Sequence, residues 1–128
     1  MCANMSYTLQ RNQWYGYIGE WLCICYLQHS GYALICKNYR CKSGEIDSIF
    51  HCQQKTCLFV EVKTTMYYSI MTTAHRICSQ KQKRIIAASQ HFMYHNQEYY
   101  QFDIRYDVML IYLPALSFVW LKNAFQNN

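Results

Sequence analysis

The sequence predicts a mixed α/β fold, a five-stranded sheet flanked by helices in the order αβββαββ. Three observations predict it. Residues 44–51 and 57–65 alternate apolar and polar side chains around a short polar turn, the pattern of paired strands. Two segments, 13–30 and 79–96, run long enough for helices. A closing apolar stretch is broken by the chain's one proline, Pro114, as two buried strands with a turn would be.

Taken in order, Gln13 to Ser30 reads as a helix that is apolar nearly all round, hence well buried. Gly31 closes it in the usual helix-ending position. Tyr32 to Lys37 is a short apolar strand, and Asn38 to Ser43 a basic loop carrying Arg40 and Lys42, with Lys37 at its edge. Gly44–His51 and Cys57–Thr65 are strands joined by the turn Cys52–Thr56, and a polar loop follows. In the helix from Ser79 to Asn96, Ile85, Ala88, Ser89 and Phe92 recur at helical spacing. Tyr106–Leu113 and Leu116–Lys122 complete the sheet. Residues 1–128 fit a single domain, with no linker, repeat or low-complexity run.

Composition excludes several classes. A hydrophobic fraction of 52% is ample for one core and argues against disorder. The closing uncharged stretch, Val108 to Leu121, is 14 residues and carries Pro114, so no membrane span is expected. The eight cysteines invite a disulfide reading, but the N-terminus lacks a basic segment followed by an apolar run and a cleavage site. A cytoplasmic location follows as the expectation, with free, core-type thiols rather than a zinc or iron–sulfur site. His91 and His95 read as a solvated helix face. Twelve Lys and Arg against seven Asp and Glu give +5, which permits a polyanionic partner without demanding one.

With carboxylates so scarce, their positions carry information. Alternation puts Glu45, Asp47 and Ile49 on one face of the first strand, and Phe59, Glu61 and Lys63 on one face of the second. If His51 faces Cys57 across the turn, Asp47 lies opposite Glu61 and Glu45 opposite Lys63. Facing carboxylates destabilise a ladder unless something neutralises them. A divalent cation does so, since Mg²⁺ is held by one or two carboxylates plus waters and substrate phosphate. Lys63 would then support developing negative charge or orient the attacking water. The competing reading makes Glu61 and Lys63 surface ion-pair residues, with Glu45 and Lys63 as an obvious pair. The apolar flanks Phe59-Val60 and Val62 count against it, because they mark a central strand.

Gly44-Glu45-Ile46-Asp47 followed by Phe59-Val60-Glu61-Val62-Lys63 resembles the D…(D/E)-x-K signature of the restriction-endonuclease-like superfamily. More closely, the chain resembles the YraN family of small bacterial proteins. The matching pieces are Gly19-Glu20, Gly31-Tyr32, Asn38-x-Arg40, the two site segments with Thr64, Lys81, Arg105-Tyr106-Asp107 and Asn123-Ala124-Phe125. They cover residues 14–125. Thr65 departs from the pattern, standing where the family tends to carry arginine. The resemblance implies one restriction-endonuclease-like domain that hydrolyses phosphodiester bonds with Mg²⁺ (or Mn²⁺). It maps Asp47 and Glu61 onto the metal ligands, the Val62 carbonyl onto a further ligand and Lys63 onto the catalytic lysine.

Glu20 is the only charge between Arg11 and Lys37. It reads either as a carboxylate stabilised near a helix start or, as in some related nucleases, as a third carboxylate reaching the metal site. Lys81 falls on the apolar line of the second helix and points towards the sheet, whereas Lys83 and Arg84 turn elsewhere. With Arg40 and Lys42 these are the candidate phosphate contacts. Asp107 reads as pairing a strand with a helix. The expectation is therefore a Mg²⁺-dependent nuclease, with DNA favoured over RNA as partner and a homodimer as a way to span a duplex. The alternatives are a non-catalytic nucleic-acid-binding module of the same fold and a protein–protein adaptor using the aromatic surface.

Overall fold

A computed structural model describes residues 2–67 and 77–127, with side chains described from residue 13 onward. The elements are α1 (Cys2–His29), β1 (Ala33–Cys41), β2 (Gly44–Cys52), β3 (Thr56–Thr65), α2 (Ser79–His95), β4 (Asp103–Tyr112) and β5 (Ser117–Phe125). Single turns of 3₁₀ helix, Gln97–Tyr99 and Leu113–Ala115, precede β4 and β5. This is the expected order αβββαββ. The strands lie in sequence order β1-β2-β3-β4-β5, antiparallel throughout except for the parallel pair β3–β4, which α2 connects. Most of the polar loop expected after Thr65 lies outside the described residues.

Alternation along the two central strands divides the core. Leu58, Val60, Met109 and Ile111 face α1 and pack with Phe50, Cys23 and Leu27. Cys57, Phe59, Val108 and Leu110 face α2 and pack with Ile49, Ile85, Ala88 and Phe92. The sheet is thus buried on both faces where β3 and β4 meet, which explains their unbroken apolar runs.

Four expectations need correcting. Helix α1 is not buried all round: in its described part only Gly19, Cys23 and Leu27 are buried, at successive fourth positions. Trp14, Tyr17 and Trp21 are each more than 60% exposed. An uncharged stretch does not reveal which stripe meets the sheet. The basic loop 38–43 is largely strand, because β1 runs on to Cys41 through Asn38, whose positive φ of 54° reshapes the strand without ending it. Strand β5 is not buried but is a sheet edge with alternating exposure. Asp107 pairs no helix. It is fully buried, accepts two hydrogen bonds from Arg105 at 2.9 Å, and joins its own strand to β5 through Trp120 Nε1 (2.7 Å) and the Asn123 amide (2.8 Å).

Gly31, with φ of 96°, ends α1 as expected, and the Tyr32 amide returns to the Leu27 carbonyl. Gly19 is required for a different reason. A Cβ there would collide with the Thr64 side chain, so the glycine lets α1 settle onto β3 beside the site.

Candidate active site

The β2–β3 ladder has the register expected from the turn, with His51 opposite Cys57 and Ser48 opposite Val60. Beyond Ser48 the strands part. Strand β2 keeps its pairing with β1 through Ile46–Tyr39 and Glu45–Arg40, while β3 keeps its pairing with β4. The opening is bridged by a side chain: the Val62 amide donates to Asp47 Oδ2 at 2.8 Å. The simple alternation expected for β2 also fails here. Ile46 and Ile49, three residues apart, join the same apolar cluster under α2.

Glu61 shares the α2 side of β3 with Phe59, as alternation requires, and is buried at 8% exposure. Its carboxyl group lies close enough to that of Asp47 to share a hydrogen bond. Lys81, from the first turn of α2, places Nζ 3.0 Å from Glu61 Oε1 and so points towards the sheet as expected. Burial and then the Asp47 charge push the Glu61 carboxyl up to about 7, although Lys81 pulls it down. Burial likewise raises Asp47, against the opposing effects of the Val62 amide, Glu61 and Lys81. Burial opposes the charge on Lys81, but Glu61 outweighs it and holds the ammonium above its ordinary range.

The remaining candidates sort by position. Glu20 is half-buried, and burial followed by the charges of Asp47 and Glu45 raises its carboxyl. It therefore lies within electrostatic reach of the pair. Among the described residues, however, no group of three or more His, Cys, Asp or Glu side chains is arranged to hold a metal. Lys63 is half-buried and makes no ion pair among the described residues. Glu45 pairs with Arg40 across β1–β2, at 3.5 Å on an exposed surface, rather than with Lys63.

Arg40, Lys42, Lys81 and Arg84 line one cleft of about 480 Å³ together with Ser43, Gly44 and Glu45. Arg84 thus does not turn away from Lys81, and only Lys83 stands outside this group. The signal lay in the i, i+3 spacing of Lys81 and Arg84, which puts them on adjacent positions of one face. His91, on the exposed side of α2, is hydrogen-bonded to the Tyr39 hydroxyl through Nδ1.

Residues 19–111 match the family described as Uncharacterised protein family UPF0102. The chain belongs to the UPF0102 family. A UPF0102 protein of Legionella pneumophila is 36% identical over 110 residues, covering 86% of this chain and 92% of its own. A UPF0102 protein of Clostridium perfringens is 35% identical over 119 residues, covering 90% and 96%, and one of Saccharophagus degradans 35% over 103 residues, covering 80% and 85%. The expected membership in a family of small bacterial proteins is therefore met. The stretch matched to UPF0102 contains Glu20, Asp47, Glu61, Lys63 and Lys81, and no helix among the described residues is long and apolar enough to cross a membrane.

Proposed function

We propose that this UPF0102 chain is a divalent-metal-dependent nuclease that hydrolyses phosphodiester bonds, acting on structured or single-stranded DNA. One observation carries the reading: two carboxyl groups, Asp47 and Glu61, share a buried opening in which Glu61 is pushed up to about 7. Facing carboxylates at a strand opening weaken the fold and need a reason. The donor chemistry fits Mg²⁺ or Mn²⁺, hard cations that take oxygen ligands and accept an incomplete protein shell. In a ladder a residue's N–H and C=O point towards the same neighbour. The Val62 amide that meets Asp47 therefore implies that the Val62 carbonyl faces the opening too.

In this reading Asp47, Glu61 and the Val62 carbonyl would hold the metal, which would supply an activated water and Lewis-acid polarisation of the phosphate. The Val62 amide fixes the Asp47 rotamer, so the ligand is oriented before substrate arrives. Lys63, two residues beyond Glu61 on the same face, stabilises the developing phosphorane charge. Glu20 supports the pair from α1 as a neighbouring carboxylate.

A second reading is a nucleic-acid-binding module without turnover. Lys81 favours it, because its ammonium already neutralises Glu61 at 3.0 Å without a metal. Both readings are tested with labelled single-stranded, flap and four-way-junction DNA, in Mg²⁺ or Mn²⁺, using wild type and Asp47→Ala. Metal-dependent cleavage that disappears in the variant supports the nuclease. Equal binding by both proteins without cleavage leaves the binding module.

A further inference from the structure

Turn Lys42–Ser43 brings the β1–β2 hairpin against the first turns of α2. The approach is tight: a Cβ on Gly44 would lie 2.8 Å from the Arg84 carbonyl oxygen. Only glycine permits this contact, so hairpin and helix form two fixed walls of one cleft. Four cations, Arg40, Lys42, Lys81 and Arg84, line it against one carboxylate, Glu45. Arg40 is engaged by Glu45 and Lys81 by Glu61. Lys42 and Arg84 have no ion-pair partner among the described residues, and both are exposed. Two uncompensated cations lining one cleft repel, and an anion between them removes that repulsion.

We propose that this cleft is a phosphate-binding pocket, in which Lys42 and Arg84 hold a nucleic-acid phosphate next to the one at Asp47 and Glu61. Lys81 supplies the link, since it lines the cleft while its ammonium touches Glu61. A phosphate seated between Lys42 and Arg84 therefore lies beside the carboxylate opening, on the hairpin side. Arg84 offers a planar fork matched to phosphate oxygens, and Lys42 a point charge on a movable stem. The proposal rests on the nuclease reading for its choice of a nucleic-acid ligand, but the pocket binds without a metal and without turnover. The phosphate comes either from a strand terminus or from an internal diester.

The test is binding of a short single-stranded oligonucleotide, with and without a 5′-phosphate, at low salt in chelator. The double variant Lys42→Ala/Arg84→Ala is compared with Lys55→Asn/Lys122→Gln, which removes the same charge elsewhere on the surface. The expected result is a loss of about tenfold or more in affinity for the cleft variant alone. Its plot of log affinity against log salt should be shallower by about 0.7, one single-strand phosphate contact having been removed. Preference for the phosphorylated oligonucleotide identifies a terminal phosphate, and indifference an internal diester; both support the pocket. Equal losses in the two double variants, or none in the cleft variant, would overturn it. Asp47→Asn keeps the cleft intact: cleft-dependent binding without metal-dependent cleavage by wild type fails the nuclease reading alone, whereas cleavage lost in Asp47→Asn together with no loss of binding in the cleft variant fails the pocket alone. Thermal melts of both double variants confirm folding, and Lys42→Glu on the exposed turn repeats the test with a single change.

Discussion

Asp47 Oδ2 accepts the amide hydrogen of Val62 at 2.8 Å, so a side chain fills the place of a ladder bond where β2 and β3 separate. The same carboxyl group meets Glu61, the residue before Val62. Support and strain therefore converge on Asp47.

Removing Asp47 should accordingly have opposed effects. Asp47→Ala leaves the Val62 amide without its acceptor, at a cost of about 1–3 kcal/mol. It also relieves the repulsion at Glu61. Near-neutral thermal stability should change by only a few degrees, whereas cleavage falls by at least about a hundredfold. Parallel melts and cleavage assays check both. A variant that unfolds would show that the bridge dominates.

Stability without metal should fall as pH rises. The Glu61 carboxyl is raised to about 7 in the folded chain from an ordinary value of 4.5, so between these values the folded state binds more protons than the unfolded one. Stability is fully present below about 4.5 and is lost as pH climbs through about 7. Asp47 is raised in the same direction. Melts from pH 5 to 8 in chelator should show this decline. Glu61→Gln, which mimics the protonated form, should flatten it and stabilise the chain at pH 8 by about 1–3 kcal/mol. A rise in stability over that interval would contradict a raised Glu61 carboxyl in the folded chain.

Divalent metal should reverse the decline. At pH 8 a metal that binds only the folded state adds RT ln(1 + [L]/Kd), about 2.7 kcal/mol at a hundred times Kd. Mg²⁺ or Mn²⁺ should therefore raise the melting temperature of wild type but not of Asp47→Ala. Equal shifts in both proteins would place the metal elsewhere.

Asp47 and Glu61 were legible because one short turn sets the register as far as Ser48 and Val60, which leaves the next residues as neighbours, although the expected ladder pairing of Asp47 with Glu61 is replaced by an opening that the Asp47 side chain bridges. Lys81 was legible from the apolar line of its helix. Long-range packing was not. The exposed face of α1 depends on which stripe the sheet takes, and nothing within an uncharged helix specifies that. Arg40 was assigned to a loop because a basic, polar run carries no strand signal, although β2 supplies Glu45 opposite it. The parting of β2 from β3 depends on each strand following its other neighbour, a relation absent from either segment alone.

Asp107 is the clearest test of structural, as opposed to functional, acidity. It is fully buried and receives Arg105, Trp120 and the Asn123 amide, so every strong acceptor direction is used. Arg105 is fixed in turn by the Tyr32 hydroxyl at 3.1 Å, which joins the end of α1 to β4. Arg105→Ala leaves a buried charge with only neutral donors and should cost about 3–5 kcal/mol. Urea midpoints check the magnitude, and the folded fraction should retain metal-induced stabilisation because alternation puts Asp107 on the α1 side of the sheet and Glu61 on the α2 side, although β4 pairs Asp107 with Val60. A loss below about 1 kcal/mol would mean that Trp120 and Asn123 alone suffice to hold the charge.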